Sequence, residues 1–183
     1  MNKELLKLAT TSLVESLNPD WQSDPDMKGT PERLAKMYEH YFRNEPIESH
    51  FEKTFPTKNN QMVIVKDIEA IGLCPHHFAP IIYKVHIGYI PNGRAIGLSK
   101  LARISRALAS YPKLQENYTE EIVEALEENL GPDGIMVVVS GIHGCMRTRG
   151  VEQDSATITS ACRGAFLDNI ATRDEFIKLT LSE

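Results

Sequence analysis

Cys74-Pro75-His76-His77 puts one thiol and two imidazoles within four residues, and His143-Gly144-Cys145 adds a further imidazole and a second thiol much later in the chain. Zinc prefers such ligands, because a thiolate and a neutral imidazole match its borderline-soft character. At their spacing Cys74 and His77 can point at one ion. If the second stretch is extended, His143 and Cys145 share a face, since strand side chains alternate with period two, and Arg147 and Arg149 continue it. Cys74, His76, His77, Cys145 and His143 therefore compete as metal ligands. Four of them would close a structural site, whereas two cysteines with one histidine would leave a coordination position for water. The remaining histidines would then stand beside that water, where groups titrating near neutral pH can shuttle protons. A buried thiol or a structural zinc is the competing reading of a single Cys-x-x-His. Zinc ribbons, however, pair two knuckles of similar spacing, and His-x-Cys is not of that kind. Cys162 has no histidine neighbour and alternates with small and β-branched residues, which reads as a core thiol.

Basic residues form a second group: Arg33 with Lys36, Lys100 with Arg103, and Arg147 with Arg149. Lys100 and Arg103 fall in the first turn of a helix that Ser99 can cap, and helix N-termini themselves favour anions. A solvated helix face explains any one pair; their recurrence points to a phosphate-bearing ligand. No GxxxxGK[ST] loop and no strand-following GxGxxG is present, so a P-loop or Rossmann phosphate site is excluded. The His-x-Glu with Pro-Cys-x-x-Cys pattern of zinc deaminases is absent as well. Gln115-Glu116, after Pro112, is by bare chemistry an ordinary exposed polar pair.

The elements that must position these groups are legible from periodicity. Leu5, Leu6, Leu13, Val14 and Leu17 share a helical face that Asn18-Pro19 ends, and Thr30-Pro31 starts an amphipathic helix with Leu34, Met37, Tyr38, Tyr41 and Phe42. From residue 62 the period becomes two, predicting strands over Met62–Ile71 and Ile81–Ile90, a turn at Pro91-Asn92-Gly93 and a short strand over Arg94–Leu98. A helix follows Ser99, and a second starts near Thr119 and stops at Gly131-Pro132. Strands over Ile135–Met146 and Ala156–Cys162 come next, and then a C-terminal helix opened by Thr172 and Glu175 in capping-box spacing. Antiparallel strand pairs separated by paired helices make an α+β unit, with an N-terminal helical region over 1–58 and a sheet-bearing domain over 59–183.

With 183 residues, 42% hydrophobic and 25% charged, the chain is long enough for one packed domain with an extension. A net charge of −5 carries no basic stripe, which excludes a general nucleic-acid binder. The longest apolar run falls far short of the roughly 18 residues of a membrane span. The first seventeen residues lack the pattern of a secretory signal, which leads us to expect a cytoplasmic protein. Three widely spaced cysteines form no disulfide framework.

The stretches GTPERLAKMY (29–38), CPHHF (74–78), KVHIGYIP (84–91), IGLSKLARI (96–104), LQE (114–116) and HGCMRTRG (143–150) together resemble the GTP cyclohydrolase I family. That resemblance implies the tunnelling fold, in which sheets of several subunits assemble around a channel as a homodecamer with active sites between subunits. It implies zinc as the cofactor, with Cys74, His77 and Cys145 as its ligands. It further implies His76, His143 and Ser99 as catalytic residues, and Gln115 and Glu116 as the pair that recognises guanine. Arg33, Lys36, Lys100, Arg103 and Arg149 then match the triphosphate and ribose contacts. The implied reaction converts GTP to 7,8-dihydroneopterin triphosphate and formate, the start of folate, pterin or 7-deazaguanine synthesis. A divergent zinc hydrolase of a related purine nucleotide, and a non-catalytic zinc-stabilised nucleotide-binding ring, are the alternatives. The chain departs from the family pattern at Pro75, where glutamate is usual, and this removes a carboxylate and a backbone donor beside the proposed metal.

Overall fold

The structure, a computed structural model, describes residues 1–181, which divide into two compact units, 1–43 and 44–181. The first unit pairs helix α1 (Lys3–Leu17) with α2 (Thr30–Tyr41). Asn2 caps α1 by accepting a hydrogen bond from the Leu5 amide, and Lys3–Glu39 and Lys7–Glu32 ion pairs tie the two helices on their exposed side. Of the apolar stripe on α1 only Val14 is buried; Leu5, Leu13 and Leu17 remain exposed. Thr30 is not the cap of α2: Gly29 occupies that position with φ 81°, and the Thr30 hydroxyl accepts from Arg33 instead.

The second unit begins with a 3-10 turn (Glu48–His50) and β1 (Thr54–Pro56), and continues with β2 (Val63–Leu73), β3 (Pro80–Ile90) and β4 (Arg94–Ile96). Helices α3 (Leu98–Ala109) and α4 (Gln115–Leu130) follow, then β5 (Gly134–His143), the single turn α5 (Gly144–Arg147), β6 (Ala156–Gly164), α6 (Ala165–Asp168) and α7 (Ile170–Leu181). Strands β2, β3, β5 and β6 form an antiparallel sheet in that order, and β1 pairs with β4 separately. Residues 44–58 fall in the second unit, where β1 pairs with β4.

Alternation along β3 explains the layering. Ile81, Tyr83, Val85, Ile87 and Tyr89 are each 2% exposed or less and join Ile135, Val137 and Val139 of β5 beneath Leu101, Ile104, Tyr118, Ile122 and Leu126 of α3 and α4. Tyr83 stacks on Tyr118 with ring centroids 4.7 Å apart, and the Tyr118 hydroxyl donates to the Ser105 carbonyl, so sheet, α4 and α3 are joined at one point. On the opposite face Met136 and Val138 pack with Phe166 and Phe176, and Cys162 borders this smaller cluster, half-buried. Arg94 donates to the carbonyls of Asn129 and Leu130, satisfying the C-terminal end of α4.

Three helix starts differ from the sequence expectation for physical reasons. Ser99 is the second residue of α3, because Gly97 takes the cap position and no side chain caps that helix. α4 starts at Gln115, four residues before Thr119, and its cap, Leu114, has no capping side chain to announce it. Thr172 lies inside α7, whose first turn is held by Asn169 accepting from the Ala171 amide.

A register shift between Val65 and Ile68 places Asp67 at φ 58° and lets its amide donate to Nδ1 of the buried His86. Burial pushes the His86 imidazole below its ordinary value; Asp67 opposes this while Lys66 and Lys84 add to it. A histidine whose folded-state value is lowered binds its proton more readily in the unfolded chain. Its contribution is therefore complete above about pH 6.5 and is lost as pH falls from there through the lowered folded value. Urea midpoints should decline over that window in the wild type and decline less in His86→Gln; equal pH dependence of the two proteins counts against this account.

Candidate active site

Antiparallel pairing brings the two cysteine stretches together. The ladder between β3 and β5 ends with Ile81 opposite His143, at the same edge where Leu73 of β2 pairs with Pro80. Residues 74–79 form the connection there, closed by the Cys74 amide donating to the Ala79 carbonyl and the Phe78 amide donating to the Cys74 carbonyl. The expected strand through Met146 stops at His143 because its partner strand begins with Pro80, which has no amide proton to extend the ladder. The chain turns into α5, so Cys145 does not share a strand face with His143, and Arg147 and Arg149 do not continue one.

One ligand atom from each of Cys74, His77 and Cys145 lies within 4.8 Å of the other two. Cys74 Sγ is 3.6 Å from His77 Nδ1 and 3.8 Å from His76 Nδ1. Cys74 is buried, Cys145 half-buried, and His76 and His77 are exposed, so the group opens to solvent on the imidazole side. Burial and the adjoining Cys74 sulfur push the Cys145 thiol up, while Arg149 pulls it down. A Cys145 thiol held protonated by its neighbour becomes compatible with a thiolate once a soft cation sits beside it. With two sulfurs and one imidazole nitrogen this donor set fits zinc, and no further histidine, cysteine or carboxylate among the described residues joins it. The His77 Nε2 atom is 2.5 Å from an Arg149 guanidinium nitrogen, which holds Arg149 against the group.

His143 reaches the site from the end of β5. Its Nε2 is 2.8 Å from the Gln115 Oε1 atom, and burial lowers its proton affinity, with the Glu116 carboxylate opposing. Gln115 is only 3% exposed, contrary to the ordinary exposed pair its sequence suggests; Glu116, the next residue, is exposed. Their place in the first turn of α4, over the sheet, was not legible without knowing where that helix starts.

The basic candidates divide. Lys100 and Arg103 lie in α3 beside Ser99, and among the described residues neither forms an ion pair. Arg147 is paired with Asp154 at 2.9 Å and is not available as a free cation. Arg33 and Lys36 lie on α2 in the N-terminal unit, where Arg33 donates to Lys28 O, Asp26 O and Thr30 Oγ1.

No helix among the described residues is long and apolar enough to cross a membrane. Among solved structures, an archaeosine synthase QueF-Like in its apo form aligns with a TM-score of 0.45 at 15% identity, over 57% of this chain and 96% of that one. Curated relatives are far more similar. GTP cyclohydrolase 1 of Carboxydothermus hydrogenoformans is 42% identical, covering 98% of this chain and 95% of its own length. The enzyme of the same name from Aquifex aeolicus is 44% identical, covering 98% and 97%. The GTP cyclohydrolase I family model matches residues 6–181, which include the Cys-His-Cys group, the Gln115-Glu116 turn and all three basic pairs, and the chain belongs to the GTP cyclohydrolase I family.

Proposed function

We propose that the protein hydrolyses GTP to 7,8-dihydroneopterin triphosphate and formate, in the cytoplasm, as the entry step to pterin or 7-deazaguanine synthesis. The observation that carries this reading is the gathering of Cys74, His77 and Cys145, together with an imidazole, His143, two residues before Cys145, that a closed structural metal site would not need. Those three residues would hold zinc, which supplies Lewis acidity and makes water nucleophilic near neutral pH.

The chain's own residues supply the rest. The exposed Glu116 carboxylate accepts hydrogen bonds from the guanine edge. Lys100, Arg103 and Arg149 neutralise the triphosphate and orient the ribose. His143 and His76 move protons: protonating the imidazole-ring nitrogen of guanine makes the adjacent carbon electrophilic, and a neutral imidazole takes the proton back as the ring opens. Two water molecules cleave the two bonds of that carbon and release it as formate. Ribose opening and Amadori rearrangement follow, with proton transfers through the same histidines and Ser99, and reclosure returns one water. Held as a homodecamer with sites between subunits, neighbouring copies would complete each triphosphate pocket.

Incubation of the zinc-loaded protein with GTP should release formate and pterin absorbance in equal amounts, with GDP, dGTP and ATP as comparison substrates. Formate from another purine nucleotide in preference to GTP would make it a divergent hydrolase. GTP binding without formate would make it a non-catalytic ring.

A further inference from the structure

The Gln115 side chain carries four hydrogen-bonding contacts, all within the chain. Its Nε2 is 3.1 Å from the Val139 carbonyl, 2.9 Å from the Thr157 carbonyl and 3.2 Å from Thr159 Oγ1, while Oε1 faces His143 Nε2 at 2.8 Å. Two of the three atoms around Nε2 are carbonyl oxygens, which only accept. The amide nitrogen must therefore be on that side; turning the amide over would set its oxygen against two carbonyls. The hydroxyls agree with this polarity. Thr119 donates to the Gln115 carbonyl at 2.9 Å, so at the 2.6 Å contact between Thr159 and Thr119 the Thr159 hydroxyl is the donor, which leaves Thr159 oxygen free to accept from Gln115. Each proton in the chain from Thr119 to Gln115 then has one position.

With Oε1 fixed as an acceptor, the nitrogen it meets must be a donor. We infer that Gln115 is a positioning residue that fixes the neutral tautomer of His143, holding the proton on Nε2 and leaving the Nδ1 lone pair as its proton-accepting atom. This rests on the proposed function for its catalytic consequence, and it departs from the guanine-recognition role that the family resemblance implies for Gln115, leaving Glu116 as the recognition group.

The slot is shaped for that amide. Gly141 lies on the helix-facing side of β5, between Tyr83 of β3 and Thr157 of β6, and a Cβ there would stand 2.2 Å from Gln115 Oε1. The missing side chain at Gly141 is the space that the Gln115 amide occupies. His143, two residues on, faces the same side of the strand and meets the amide from the end of β5.

Two experiments decide the matter. Magic-angle-spinning 15N spectra of the zinc-loaded, histidine-labelled protein at about pH 8, where imidazoles are neutral, report which His143 nitrogen is protonated, with His143→Asn assigning the signal. Protonated Nε2 in the wild type, and a mixture of tautomers in Gln115→Met, is the expected result; protonated Nδ1 in the wild type overturns the inference. This readout needs no turnover, so it stands even if GTP is not the substrate. In steady-state assays Gln115→Met should lower kcat about tenfold or more with KM within about twofold. A raised KM with kcat retained would mean that Gln115 contacts the substrate. Gly141→Ala should match that kcat loss alone and add little to Gln115→Ala, because truncating the glutamine removes the closest contact and leaves only Tyr83 at 3.2 Å; fully additive losses overturn the slot argument.

Discussion

Cys145→Ala is expected to lose bound zinc and to lower kcat on GTP by well over about 100-fold, since even residues that merely orient a metal ligand typically cost 10–100-fold when removed. Replacing Cys145 leaves one sulfur and one imidazole, too few to hold the ion against solvent. The fold should survive, because Cys145 is half-buried in a one-turn helix and only borders the main core. Zinc content by mass spectrometry, far-UV dichroism and turnover check the three parts of this expectation. Cys162→Ala, on the far side of the sheet against Met136 and Phe166, should keep both metal and activity. Full zinc occupancy in Cys145→Ala would assign the metal elsewhere.

For stability, a large loss, about 3 kcal/mol, should come from Gly164→Ala. Gly164 ends β6 at φ 56° and ψ −133°, a region that L-residues adopt only under strain, and a Cβ there would lie 2.3 Å from the Asp133 carbonyl oxygen. That oxygen is backbone and already accepts the Ala165 amide at 3.0 Å, so it cannot move aside without breaking the bond that ties the start of α6 to the start of β5. Gly93→Ala separates strain from clash: φ is 72° there but nothing lies within 4 Å of an added Cβ, and about 1 kcal/mol is expected. Urea denaturation of the two variants measures the difference, and equal losses would show that the Asp133 contact contributes nothing.

Local patterns in the sequence were sufficient for the elements that bury one face. Period-two alternation placed β2 and β3 within two residues of their observed ends, and the apolar spacing of α2 and α3 was equally direct. Residue chemistry left five candidate metal ligands, Cys74, His76, His77, His143 and Cys145, and only the family resemblance singled out the three that the fold gathers. What failed was whatever depended on a partner far along the chain. The strand through Cys145 stops because of Pro80 on another strand, and Gln115 is buried because Gly141, Thr157 and Thr159 form a slot beneath it.

The sequence by itself determined which residue types this protein can bring to a site: thiols and imidazoles suited to a metal or to protons, and scattered cations suited to an anion. Side-chain chemistry is a property of the residue and needs no fold to be read. Only the tertiary structure decided which of them meet, and in what role. The antiparallel ladder set Cys74, His77 and Cys145 within reach of one ion, Asp154 took Arg147 out of the cationic set, and a buried hydrogen-bond chain turned Gln115 from an ordinary polar residue into the group that orients His143. Those outcomes depend on distances between segments remote in sequence, and such distances come into being only when the chain closes on itself.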